Sequence, residues 1–201
     1  MADSLPSRRL QSEENPLTQL PDPLLWKRVR AGEERAFEEL IRRYYPPLYQ
    51  YGLRYTRDMD LLKDSIQDLF VELWIYHRNM AQTEFVRVYL FKSLRRKVFR
   101  NAAGEGSREP LDEEAVDHFL ISENAEDELI QTELSAYQRS RLHALLRTLS
   151  NRQREAIHLK FFAALSNEKI AEVMGLNYQS VANLLHRAVN RLREGWHTLL
   201  Q

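Results

Sequence analysis

Apolar residues recur at three- and four-residue steps along most of the chain, and strand-like alternation is scarce, so the pattern predicts an all-α protein. Asp22 followed by Pro23 opens a first helix with Leu24, Leu25, Trp26 and Val29 on its apolar face, interrupted at Gly32. Phe37, Leu40, Ile41, Tyr44 and Tyr45 mark a second helix. Pro46 and Pro47 are expected to kink or break it before Leu48, Tyr51, Leu53 and Tyr55 resume the pattern. From Asp60 to Tyr76 the residues Leu62, Ile66, Leu69, Phe70, Leu73 and Trp74 line one face of an amphipathic helix, with Lys63, Asp64, Gln67, Asp68 and Glu72 toward the other. Residues 77–83 break the pattern and a helix over 84–101 follows.

Farther along, Leu129, Ile130, Leu134, Tyr137, Leu142, Leu145 and Leu146 keep a helical period, predicting a helix that restarts near Asn124. Ser150 and Gln153 have the spacing of a capping box, opening a helix that buries Ala156, Ile157, Phe161 and Phe162. Ser166 then caps a short helix burying Ile170, Ala171 and Met174, with Glu168 in its first turn, where the helix dipole favours an acid. Gly175 is a left-handed stop, Leu176 fills the gap between helices, and Asn177 caps the next helix. That last helix carries the stripe Val181, Leu184, Leu185, Ala188 and Leu192. Its other side shows Tyr178, Gln179, Asn183, His186, Arg187 and Asn190. The pair is a helix-turn-helix, whose polar side chains near the second helix's start can reach base edges in a major groove. Any helical bundle can also use a Gly stop and an Asn cap.

The 201 residues allow one large domain or two small ones. The absence of cysteine removes disulfides and thiolate zinc sites. No apolar run reaches membrane-spanning length and no signal-peptide region opens the chain, so a cytoplasmic protein is expected. The zero net charge conceals segregation. Residues 1–23 carry 2 basic and 4 acidic side chains, 24–101 carry 16 and 10, 102–134 carry 1 and 11, and 135–201 carry 10 and 4. Two basic blocks thus flank an acidic strip, and it is local charge that meets phosphates. The division expected is a disordered tail over 1–21, a helical domain over 22–101, an acidic linker over 102–123 and a helix-turn-helix domain over 124–201.

Two constellations carry possible chemistry. Asp64, Asp68 and Glu72 lie at four-residue steps, so three carboxylates share a stripe that could hold a divalent metal, dock on a basic partner or face solvent. No Glu-x-x-His partner accompanies it, which favours a solvated or docking face and no metal. Over 85–100, Phe85, Tyr89, Phe91 and Phe99 alternate with Arg87, Lys92, Arg95, Arg96, Lys97 and Arg100. Cations for the backbone and rings for the bases are how single-stranded nucleic acid is held, with stacking contributing about 1–3 kcal/mol per base. Tyr89 and Phe99 are read individually as core residues, and the cationic face as functional.

The order of these parts resembles the bacterial RNA polymerase sigma factors of the extracytoplasmic-function (group IV) type. Leu149-Ser-Asn-Arg-Gln-Arg-Glu-Ala-Ile, Leu165-Ser-Asn-Glu-Lys-Ile-Ala-Glu-Val-Met-Gly-Leu, Ser180-Val and Leu185-His-Arg-Ala look like that family's domain for the −35 promoter element. Asp64-Ser-Ile-Gln-Asp-Leu-Phe-Val-Glu-Leu-Trp looks like its clamp-docking helix, and Val86 to Arg100 like the segment that captures the melted −10 element. The resemblance implies polymerase binding by Asp64, Gln67, Asp68 and Trp74, and −10 strand binding by Arg87, Lys92, Arg95, Arg96 and Lys97. It further implies a loop over His77–Glu84 that holds an unstacked base, and −35 contacts from Tyr178, Gln179, Asn183, His186 and Arg187. Where the family often has basic residues this chain has Ala182 and Leu184, so the −35 contacts are expected to be fewer or shifted. The partners implied are core RNA polymerase, promoter DNA and an anti-sigma protein, with no cofactor, no catalysis and no membrane insertion. The rival reading is a one-component helix-turn-helix regulator whose N-terminal helices sense a ligand or dimerise. An enzyme built on the carboxylate stripe and a histidine is the other.

Overall fold

The computed structural model describes residues 16–56, 58–104 and 133–198, and among them every regular element is helical. In chain order these are α1 (Asp22–Arg30), α2 (Glu34–Gly52), α3 (Met59–Ile75), α4 (Val86–Gly104), α5 (Glu133–Arg147), α6 (Asn151–Phe161), α7 (Asn167–Met174) and α8 (Tyr178–Thr198). Short 3-10 turns at Pro16–Gln19 and His77–Asn79 precede α1 and follow α3. The expected restart near Asn124, and most of the acidic strip, lie outside the described residues.

Local signals explain most boundaries. Asp58 accepts hydrogen bonds from the backbone of Asp60 and Leu61 and so caps α3. Ser150 and Gln153 form the predicted capping box on α6. Gly32, at φ 85°, turns the chain between α1 and α2.

Two expectations are corrected. Pro46 and Pro47 sit inside α2, which runs unbroken to Gly52. Each proline removes one helical hydrogen bond, but Tyr44, Leu48 and Tyr51 on either side are buried to 1% exposure or less, and that burial carries the helix through. The structured chain also begins before residue 22. Arg43 donates to the carbonyl oxygens of Leu17, Thr18 and Leu20 and to Asp22, which ties the Pro16–Gln19 turn onto α2 and buries Leu17.

Helices α1–α4 form one group, with α3 on α4 and α1 and α4 on α2. In the second group α8 packs on α5, α6 and α7. The groups also touch, since α4 lies against α7, and one contiguous apolar cluster includes residues of both. The two basic blocks of the sequence thus meet face to face.

Candidate nucleic-acid interface

The helix-turn-helix is built as its sequence signals require. Ser166 Oγ accepts from the Lys169 amide at 3.4 Å, Gly175 adopts φ 67° and ψ 38° at the end of α7, and Asn177 Oδ1 accepts from the Ser180 amide at 2.7 Å. With Val181, Leu185 and Ala188 buried, the opposite face of α8 is turned outward. Tyr178, Gln179, Asn183, His186 and Arg187 are all exposed on it. Gln179 donates to Asn183 at 3.1 Å, and His186 meets Asn190 at 3.2 Å. These side chains are held along one ridge, and their amides and imidazole offer both donors and acceptors to base edges.

The cations of α4 are in a different state. Arg96 is exposed and has no partner among the described residues. Arg87, Lys92 and Arg95 are engaged by the second helical group. Arg87 donates to the Ala163 carbonyl at 2.8 Å, Lys92 lies 3.6 Å from Glu172, and Arg95 donates to Glu155 at 3.0 Å. The Lys169 ammonium lies 3.3 Å from the centre of the Phe85 ring. Lys97 requires a correction. It is 5% exposed, with its ammonium 2.5 Å from Glu72 on α3, and it braces α3 against α4 instead of facing a phosphate. Tyr89 and Phe99 are corrected too, being about two-fifths exposed, with Tyr89 edge-on to Trp26 and Phe99 under the Arg95 guanidinium.

Glu155 is the residue that sequence reasoning missed. Its Oε1 accepts from the hydroxyls of Tyr51 and Tyr55 at 2.9 and 2.5 Å as well as from Arg95, so three donors from α2, α4 and the α2–α3 connection converge on one oxygen. Burial and the neighbouring carboxylate hold both phenols well above their ordinary range. Arg54 is half-buried beside them, its pKa lowered to about 10 by desolvation, and donates to the Arg154 carbonyl. One turn along α6 from Glu155, His158 is stacked on Phe162 and meets the Tyr51 ring at a tilt. Desolvation, and then the Arg54 charge, lower its pKa to about 2, so it is neutral. Nothing local in the sequence pairs these residues, which lie about a hundred positions apart.

A hollow of about 430 Å³ lies beside this contact. It is lined by loop residues Met80 to Thr83, by Trp26, Phe85 and Tyr89, by Lys92 and Arg96, and on its outer side by Glu172. Its lining combines aromatic rings with two cations.

On α3, Asp64, Gln67 and Asp68 are exposed, as are the apolar Val71 and Ile75 of the same helix. Trp74 is half-buried, stacked between Phe37 at 4.7 Å and His77 at 4.9 Å, and so supports the helix from behind. Glu72 is drawn off the carboxylate stripe by Lys97 and Arg100. Among the described residues no cluster of three or more His, Cys, Asp or Glu side chains could hold a metal ion, and no helix is long and apolar enough to cross a membrane.

Residues 139–192, from α5 to α8, match the family model for sigma-70, region 4. The chain is 25% identical over 194 residues to the RNA polymerase sigma-H factor of Pseudomonas aeruginosa, covering 92% of this chain and 98% of that protein. It is 29% identical over 163 residues to the RNA polymerase sigma-E factor of Streptomyces avermitilis, covering 81% and 86%. To the ECF RNA polymerase sigma-E factor of Haemophilus influenzae it is 26% identical, covering 85% and 92%. Over most of its length the chain is similar to RNA polymerase sigma factors, and residues 139–192 carry a sigma-70 region 4 domain. The fold of the chain is shared with CnrH in complex with the cytosolic domain of CnrY, at TM-score 0.57 and 21% identity over 89% of this chain and 99% of that one. It is likewise shared with the sigma factor RpoE in complex with the anti-sigma factor NepR from Bartonella quintana, at TM-score 0.55 and 19% identity over 80% and 96%.

Proposed function

We propose that this chain binds core RNA polymerase and directs it to specific promoters, reading the −35 element as duplex and the −10 element as melted strand. The observation that carries the reading is the combination in one chain of two nucleic-acid surfaces of different kind. One is a ridge of exposed polar side chains on the second helix of a helix-turn-helix that matches sigma-70 region 4. The other is a cationic helix bordering an aromatic-walled hollow.

In this reading Tyr178, Gln179, Asn183, His186 and Arg187 meet the −35 duplex. Arg87, Lys92, Arg95 and Arg96 follow the −10 strand, while the hollow behind residues 80–83 takes an unstacked base. Asp64, Gln67 and Asp68 meet the polymerase, with Trp74 setting the helix that carries them. The N-terminal group through α4 is then the polymerase and −10 module, the second group the −35 module, and the acidic stretch between them the tether. The chain acts in the cytoplasm without cofactor or catalysis of its own. Because Glu155, Glu172 and the Ala163 carbonyl occupy three of the −10 cations, the two groups must part before both elements can be gripped. An anti-sigma protein, the kind of partner named for NepR, fits this reading by holding them together.

The test is transcription from a random promoter library by core polymerase with and without the purified chain. The reading expects enrichment of promoters sharing two spaced elements only when the chain is present. Specific duplex binding by the free chain with no effect on core polymerase would overturn it in favour of a one-component regulator.

A further inference from the structure

The hollow beside α4 owes one wall to the loop Met80–Thr83, and that loop is held from α1. Trp26 Nε1 donates to the Ala81 carbonyl at 3.1 Å, Arg30 Nη1 donates to Gln82 Oε1 at 3.0 Å, and Gln82 Nε2 donates to the Pro23 carbonyl at 3.3 Å. Both ends of the Gln82 amide are therefore engaged by α1. Trp26, 1% exposed, also meets Tyr89 edge-on at 5.2 Å, so one side chain holds the loop and braces an aromatic wall of the hollow. The N-terminus of α1 is fixed in turn, since Asp22 accepts from Arg43 at 2.6 Å and from the Tyr44 hydroxyl. A run of polar links thus leads from α2 through α1 to the loop.

A site tells one base from another only if its donors and acceptors are held to within about half an ångström, and a short loop left free loses that advantage to conformational entropy. The one side-chain amide in this loop is turned toward α1, which engages one of its donors and one of its acceptor sites. Thr83 Oγ1 already accepts from the Phe85 amide at 3.0 Å, which leaves its hydroxyl proton as the donor it can offer. The backbone groups, hydroxyl and amide that this loop can offer a base all take their positions from the links to α1.

Resting on the sigma-factor reading above, we propose that Trp26 and Arg30 are positioning residues for base selection in the melted −10 element, acting through Ala81 and Gln82 without touching DNA. The experiment uses holoenzyme assembled from core polymerase and the full chain, transcribing a promoter set in which each −10 and −35 base is replaced in turn. Arg30→Met and Gln82→Met should each lower the preference at one −10 position by on the order of tenfold, the discrimination of a single good base contact. Preferences at the −35 positions and the melting temperature of the chain should be retained. The double variant should be no worse than Gln82→Met alone, because the link that Arg30→Met removes is one of the two that Gln82→Met removes. Trp26→Phe, which keeps the ring and loses the N–H, should act at the same position. A uniform loss on all promoters with every ratio preserved would reduce α1 to a structural support and overturn the proposal, as would fully additive effects of Arg30→Met and Gln82→Met. If the unaltered holoenzyme gives no promoter-dependent transcription, the sigma-factor reading itself fails and this proposal with it, an outcome distinct from the other two.

Discussion

Glu155 is a buried acceptor at the contact of the two helical groups, where three donors of the first group converge on it. Replacing it with Ala leaves the Tyr51 and Tyr55 hydroxyls and Arg95 without their common acceptor. Removing one partner from a buried charge pair costs about 3–5 kcal/mol, so the ratio of closed to parted molecules should fall by roughly two orders of magnitude or more. Glu155→Gln keeps an acceptor and loses only the difference between a charge-assisted and a neutral hydrogen bond, about 1–1.5 kcal/mol. Glu172 supplies the contrast. Its pair with Lys92 is half exposed at 3.6 Å, and such pairs contribute less than about 1 kcal/mol. Glu172→Gln should therefore leave closure nearly unchanged. The chain has no cysteine, so cysteines placed at the exposed Arg35 and Arg193 would carry a donor and an acceptor dye without competing labels. Energy transfer between them should report one compact population in the unaltered protein, a mixture in Glu155→Gln, and a mostly extended population in Glu155→Ala with helical circular dichroism retained. Unchanged transfer in Glu155→Ala, or an equal effect from Glu172→Gln, would refute the reasoning.

Three further outcomes are expected. His158 has a pKa near 2 in the folded chain against an ordinary value of 6.5, so the folded state takes up its proton far less readily than the unfolded or parted one. The stability this contributes is complete above pH 6.5 and falls by about 1.4 kcal/mol per pH unit below it; a thermal midpoint that His158→Phe leaves equally acid-sensitive between pH 6.5 and 5 would contradict this. Ala164 holds φ 53°, a left-handed conformation that costs a β-carbon roughly 1–2 kcal/mol. Ala164→Gly should raise the melting temperature by removing more strain than it adds chain entropy, and a lower midpoint would refute it. Asp64→Ala with Asp68→Ala should weaken co-purification with core polymerase while leaving melting unchanged, since both side chains are exposed and have no ion pair among the described residues; undiminished co-purification would remove them from the docking face.

What the sequence could tell about this molecule divides by range. Ser166, Gly175 and Asn177 act on backbone groups within three or four residues, so the helix-turn-helix and the outward ridge of α8 could be read directly, as could the capping box at Ser150. Lys97 reads as one more cation on a basic helix, and only its neighbour on α3 reveals that it faces inward. Pro46 and Pro47 break the local rule because burial on both sides of them outweighs two missing hydrogen bonds. Arg43 gives no sign that it gathers carbonyls from residues 17–20. The contacts of α2 and α4 with α6 and the segment that follows it join residues 60 to 104 positions apart, and alternating charge on one helix does not say which carboxylates it will meet.

The central claim, that one chain grips DNA at two places with the polymerase between them, is tested most directly by the spacing of those places. On a promoter selected by the holoenzyme, inserting about five base pairs between the −35 and −10 elements turns one face of the duplex by half a helical turn relative to the other. Permanganate reactivity of unpaired thymines in the −10 element should then be lost, and a full-turn insertion should not restore it, because the tethered modules span a fixed distance. Reactivity that survives either insertion would mean that the two surfaces act independently and would contradict the account.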